Sequence, residues 1–245
     1  MKRQAESRNA GIGAGLTAGL LFLFSVGFLG FRMSGSGALH IYFIRHAETM
    51  ANVTGDKTEA NNRTFSDRGK KQIAGLTEVL TGLHIDHVLV SPTYRTRFTV
   101  LPFLKKTGMQ AEIWPELEEW RMKDQLPDGM TEDSLRIVIE PENHRYLRFR
   151  GDGSKKPYFT KNYKGGLIQI QKIHAMIQDR FHGTGETLLL VGHSDSGSRL
   201  LEQLSGQKMI ARYQLKTARL NLLEETESGK YRIVMLNGER VKPEN

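Results

Sequence analysis

Three apolar runs in this chain end on residues that could handle a phosphoryl group. Arg45–His46 closes the first, Ser91–Pro92 closes the second with Arg95 a turn later, and His193 follows the third. A neutral imidazole can attack phosphorus directly, giving a phosphoramidate that water later hydrolyses. The group in transfer carries negative charge on its oxygens, so a site for it needs fixed cations and hydrogen-bond donors. Arginine meets that need because it stays charged and its planar fork matches phosphate oxygens. An alkoxide leaves badly, so an acid must supply a proton as the ester bond breaks and can then take one from the attacking water. Glu48 is an acid candidate by proximity to His46 and could equally support the loop that follows His46. Each residue also has a plainer reading: His46 and His193 as ordinary core or surface histidines, Arg95 or its neighbour Arg97 as charge on a solvated helix face.

What must position these residues can be read from the hydrophobic pattern. Leu39 to Ile44 reads as a buried strand, Asp67 to Leu80 as a helix with an apolar stripe at Ile73, Leu76 and Leu80, and His87 to Val90 as a second strand. Thr93 to Leu104 is expected to be helical, Ala111 to Trp114 a short strand, Gly166 to Phe181 a helix, Thr187 to Val191 a strongly apolar strand, and Ser196 to Leu204 a helix. Leu220–Glu225 and Tyr231–Leu236 resemble a terminal hairpin turning at Ser228–Gly229. Between Arg121 and Lys164 the chain reads as irregular and basic, with a short apolar run at Leu135 to Ile139. Strands alternating with helices imply a mostly parallel sheet covered on both faces, with the ligand site beyond the carboxyl ends of the strands. Arg45–His46, Ser91 with Arg95, and His193 all fall at that edge.

The run Arg45-His46-Ala47-Glu48-Thr49-Met50-Ala51-Asn52 resembles the hallmark of the histidine phosphatase superfamily, which includes the cofactor-dependent phosphoglycerate mutases. Four further segments agree in order: Ser66-Asp67-Arg68-Gly69 with Gln72, Ser91-Pro92-Thr93-Tyr94-Arg95, Leu117-Glu118-Glu119, and Val191-Gly192-His193. The resemblance runs from about Leu39 to the C-terminus. It implies a three-layer α/β/α sandwich of the phosphoglycerate mutase-like type. It also implies His46 as nucleophile and a phosphate pocket of Arg45, Arg95 and His193, with Asn52 as a neutral donor. Glu119 is implied as proton donor and acceptor, since Leu-x-Glu is the family spacing, and Glu118 is the alternative. No metal or other cofactor is implied, because basic side chains supply the positive charge.

The sequence departs from the mutases after Asn52 and after Glu119, and Ser194 stands where many members have Gly or Ala. These differences favour a phosphatase over a phosphomutase. A phytase-like acid phosphatase fits less well, because Asp195 falls one position late for a His-Asp pair. A silent phosphate-binding module is the reading from another class, but the residues needed for turnover are present. The basic residues Arg145, Arg148, Arg150, Lys155, Lys156, Lys161 and Lys164 are either a lid recognising further phosphates or a solvated loop. His174 and His182 read as surface groups.

With 245 residues and no cysteine, the chain has room for one domain and excludes disulfides, thiolate nucleophiles and Cys-based metal sites. Its formal charge of +8 favours anionic substrates or surfaces, and no basic element interleaved with aromatics points to nucleic acid. Lys2, Arg3, Arg8 and Arg32 against Glu6 put +3 of that charge near the N-terminus. The 22 residues from Ala10 to Phe31 carry no charge, enough for a helix of roughly 30 Å, the thickness of a bilayer's hydrocarbon core. The expected organisation is a basic tail at 1–9, a transmembrane anchor at 10–31, a tether at 32–38 and the catalytic domain at 39–245. A cleaved signal sequence and a buried core helix are the competing readings of 10–31. The basic flank keeps the N-terminus cytoplasmic and puts the domain outside the cytoplasm. Gly11, Gly15 and Gly19, four apart, could let two anchors pack as a homodimer.

Overall fold

The computed structural model describes residues 37–120, 135–160, 162–207 and 215–242. The expected tail, the anchor with Gly11, Gly15 and Gly19, and most of the tether lie outside the described residues. Among the described residues no helix is long and apolar enough to cross a membrane.

The described strands form one sheet. β1 (His40–Arg45), β2 (His87–Val90), β3 (Ala111–Ile113), β4 (Leu147–Phe149) and β5 (Thr187–Gly192) run parallel. β6 (Leu220–Glu225), β7 (Tyr231–Leu236) and β8 (Glu239–Arg240) extend it antiparallel, in the order β4-β3-β2-β5-β1-β6-β7-β8. The central position of β5 explains its unbroken apolar run. Leu188 and Leu190 face one apolar cluster and Leu189 and Val191 the other, so period-two alternation buries every side chain when both faces are covered.

One face takes α5 (Tyr163–Phe181) through Ile170, Ile173, Ile177 and Phe181, and α6 (Asp195–Ser205) through Leu200, Leu201 and Leu204. The other takes α3 (Asp67–Thr81) through Leu76 and Leu80, and α4 (Tyr94–Thr107) through Val100, Phe103 and Leu104. The result is the expected sandwich, mostly parallel with an antiparallel edge.

Three features escape the hydrophobic pattern. β4 lies inside the stretch read as irregular; its three residues, with Arg148 in the middle, take their register from pairing Ala111 with Leu147. α1 (Met50–Thr54) and α2 (Glu59–Arg63), five residues each, are too short to show a period. α5 starts three residues before Gly166, because Asn162 Oδ1 accepts from Gly165 N at 3.0 Å and caps it. The apolar run at 135–139 forms no regular element, yet Ile137 and Ile139 bury against the α3/α4 side.

Candidate active site

β1 delivers His46 just past its last residue, where His46 N donates to Gly192 O at 3.0 Å and so ties the nucleophile's loop to β5. Its side chain is buried, with Nδ1 2.7 Å from the carbonyl oxygen of Ala47. A carbonyl only accepts, so Nδ1 carries the proton and the lone pair of the neutral ring sits on Nε2. Burial chiefly, then the charges of Arg95 and Arg45, holds the imidazole pKa well below its usual value, against an opposing pull from the Ala47 carbonyl. His46 is therefore a neutral imidazole at neutral pH with Nε2 as its free nucleophilic atom.

The loop beyond it is clamped from three sides. Ala47 N donates to Thr99 Oγ1 on α4 at 2.9 Å, and Glu48 N to Gln72 Oε1 on α3 at 2.9 Å. Glu48 accepts from Ser66 Oγ at 2.7 Å and pairs with Arg68 at 3.2 Å, which assigns it to supporting the loop at the start of α3. The helix comes so close that a Cβ on Gly69 would lie 2.0 Å from Glu48 O. The Gly and Gln of that segment are thus packing requirements of the nucleophile's loop.

The expected phosphate-binding groups converge. The rings of His46 and His193 lie edge to face with centroids 5.4 Å apart. Arg95, on the first turn of α4, has Nη2 3.2 Å from His193 Nδ1, and Ser91 Oγ lies 2.8 Å from His193 Nε2. Guanidinium only donates, so Nδ1 accepts here and Nε2–H donates to Ser91. Arg45 holds Leu215 O through Nη1 at 3.0 Å, while its buried Nε has no hydrogen-bond partner. Burial lowers the Arg45 pKa, with Glu119, Asp195 and Glu48 opposing, and the group stays a cation at any physiological pH. A donor buried without a partner beside His46 is ready for an anionic oxygen.

Arg97, two residues on, has a different fate. It is buried and paired with Glu140 at 2.9 and 3.4 Å, so Arg95 and not Arg97 belongs to the cluster.

Glu119 lies at the N-terminus of α6, the helix that follows His193. Its Oε1 accepts from Ser196 N at 2.8 Å and its Oε2 from Asp195 N at 3.1 Å, taking the capping place that Ser194 leaves unfilled. Ser194 itself has φ −79° and ψ −60°, an ordinary conformation that needs no glycine. Glu118 is buried and lines a cleft with Arg95. The acidic loop is held by Gln169 of α5, which donates to the carbonyls of Glu116 at 2.6 Å and Glu118 at 2.9 Å. α5 also crosses Trp120 closely enough that a Cβ on Gly166 would lie 2.6 Å from its ring.

Asn52 closes the start of α1. It is exposed, and its Oδ1 accepts from the backbone and hydroxyl of Thr49 at 3.0 and 3.1 Å. Another asparagine touches the arginine: Asn62 Oδ1 on α2 accepts from Arg95 Nη1 at 3.2 Å. No sequence signal marked Asn62, and Gln169 was hidden among the polar positions of an amphipathic helix. The cleft beside Arg95 has a volume of about 330 Å³, between α2, the start of α4 and the segment at 135–140. Of the basic stretch, Arg148 pairs with Glu112 and Arg150 with Glu116. The stretch reaches the cleft through Pro157, while Lys161 lies outside the described residues. His182 is exposed and pairs with Glu225. Among the described residues no group of three or more His, Cys, Asp or Glu is arranged to hold a metal ion.

Residues 41–238 match the family described as histidine phosphatase superfamily (branch 1). The adenosylcobalamin/α-ribazole phosphatase of Escherichia coli is 32% identical over 174 residues, covering 69% of this chain and 80% of that protein. Phosphoserine phosphatase 1 of Hydrogenobacter thermophilus is 26% identical over 161 residues, 63% of this chain and 70% of its own length. Among solved structures, a phosphoglycerate mutase from Bacillus anthracis superposes with a TM-score of 0.59 at 15% identity, covering 84% of this chain and 95% of the mutase.

Proposed function

The chain belongs to branch 1 of the histidine phosphatase superfamily and is a phosphoric monoester hydrolase of that family, and from that premise we propose that it hydrolyses a small phosphomonoester through a phosphohistidine on His46 Nε2. The observation that carries this reading is the buried neutral imidazole of His46, whose Nδ1 is committed to Ala47 while Arg45, Arg95 and His193 stand around it. Nε2 attacks phosphorus and the P–O bond to the alcohol breaks, with Arg45 and Arg95 neutralising the oxygens. Glu119 acts as the acid in its protonated form, with one oxygen released from the α6 backbone amides, and gives its proton to the leaving alkoxide. Water then attacks the phosphohistidine, the P–N bond breaks, and Glu119 takes the water's proton, which restores both residues. His193, itself held by Ser91, positions the Arg95 guanidinium that faces the phosphoryl oxygens. Asn52, whose Oδ1 is held by Thr49, offers its amide nitrogen as a neutral donor to the phosphoryl group.

A small substrate is supported by the size of the cleft beside Arg95 and by a relative named for phosphoserine. Release of phosphate from an aryl phosphate, compared between the wild type and His46→Ala, tests the reading. Equal release by both proteins would remove His46 from the reaction.

The uncharged run at 10–31 supports a second element of the proposal: the domain is tethered to a membrane, with its active site outside the cytoplasm. Membrane fractionation with protease protection, and the mass of the mature chain, test it. A soluble chain beginning near residue 38 would instead mark a cleaved signal sequence.

A further inference from the structure

α2 presents two consecutive residues to the cleft. Asn62 touches Arg95, and Arg63 stands at the lip, half-exposed, with a role in none of the steps above. We propose that Arg63 receives a carboxylate on the alcohol half of the substrate, so that the enzyme selects phosphoesters whose leaving group bears that second negative charge. The inference rests on the Arg95 pocket being the phosphoryl site.

Arg63 is positioned without being consumed. Its guanidinium lies 4.6 Å from the centre of the Tyr94 ring, and that ring is stacked on Phe98 at 3.8 Å, so the platform is fixed. Its acidic neighbours hold it loosely. Glu59 is 3.5 Å away with a side chain 79% exposed, and such a pair contributes on the order of 0–1 kcal/mol. Glu140 is 3.9 Å from Arg63 but makes its close contact, at 2.9 Å, with buried Arg97. An entering anion would therefore replace weak contacts with a charge-assisted pair in a partly enclosed cleft. The flanking acids favour a monoanion such as carboxylate over a second phosphate dianion. Arg136, on the facing wall, adds charge of the same sign.

The test uses the full-length protein and two esters that differ by one carboxylate, phosphoserine and phosphoethanolamine. The ratio of their kcat/KM values is compared between the wild type, Arg63→Gln and Arg63→Lys. The expected wild-type preference for phosphoserine is about tenfold or more, falling to within about twofold of unity in Arg63→Gln and partly retained in Arg63→Lys. No preference in the wild type, or one that survives in Arg63→Gln, would overturn the assignment. A wild type that hydrolyses neither these esters nor p-nitrophenyl phosphate would defeat the hydrolase reading instead. Calorimetric binding of the same two esters to the wild type and Arg63→Gln would then decide the role of Arg63 by the same ratio.

Discussion

His46 Nδ1 lies 2.7 Å from the carbonyl oxygen of Ala47, and that contact determines which nitrogen can attack phosphorus. The same backbone unit is held from its other side, since Ala47 N donates to Thr99 Oγ1 on α4. The ring is therefore oriented by its own loop, and the loop by a helix that also carries Arg95. Nucleophile and phosphate clamp share one rigid support, the arrangement that positioning of reactants requires.

The buried neutral imidazole makes stability depend on pH. Above its ordinary pKa of 6.5, His46 is neutral in both the folded and the unfolded chain. Below that value the unfolded chain takes up a proton that the folded chain refuses, so stability falls as pH drops, by up to about 1.4 kcal/mol per unit until the lowered folded pKa is reached. Chemical denaturation of the wild type and His46→Ala at pH 7 and pH 5 should show the variant gaining about 1–2 kcal/mol relative to the wild type at the lower pH. Parallel losses in the two proteins would mean that His46 is not held neutral.

Arg95 and Arg97 should separate rate from stability. Removing Arg95 takes a cation from the phosphoryl oxygens, and Arg95→Ala should lower kcat/KM by about 10³ or more while changing stability by less than about 1 kcal/mol. Arg97→Ala removes the close partner of Glu140 and should cost about 2–3 kcal/mol, less than for a fully buried pair because Glu140 keeps 24% of its side chain exposed and Arg63 stays 3.9 Å away. Steady-state kinetics and denaturation of both variants check the division, and reversed effects would exchange their roles.

The proton donor can be read from the leaving group. A p-nitrophenolate departs without a proton, whereas an alkoxide does not. Glu119→Gln should therefore slow the phosphorylation of His46, read in a single turnover, by about 10²–10⁴ with an alkyl phosphate and by much less with p-nitrophenyl phosphate, while hydrolysis of the phosphohistidine slows equally for both. The contrast appearing in Glu118→Gln instead would give the role to the residue that lines the cleft.

The parallel core and the convergence of Arg45, His46, Arg95 and His193 were legible because apolar runs in buried parallel strands are unbroken and their ends are marked by the polar residues that follow. Arg95 and Arg97 could be told apart only by their spacing from Ser91–Pro92, a choice the Glu140 pair now accounts for. Asn52 carries a second role that the motif did not reveal, since its Oδ1 closes the start of α1. Asn62 could not be found, because it reaches Arg95 from a five-residue helix with no period. Gln169 escaped for the opposite reason: it sits on a strongly periodic helix, where one polar residue turned inward looks like any other.

The most direct measurement identifies the phosphorylated atom. The wild type is mixed with an aryl phosphate, quenched in alkali to preserve the labile P–N bond, and the His46 peptide is examined by mass spectrometry and ³¹P NMR. Phosphate on Nε2 of His46 is expected, appearing before free phosphate and absent from His46→Ala. Phosphate on Nδ1, on another residue, or on no residue while turnover proceeds would contradict the proposed mechanism.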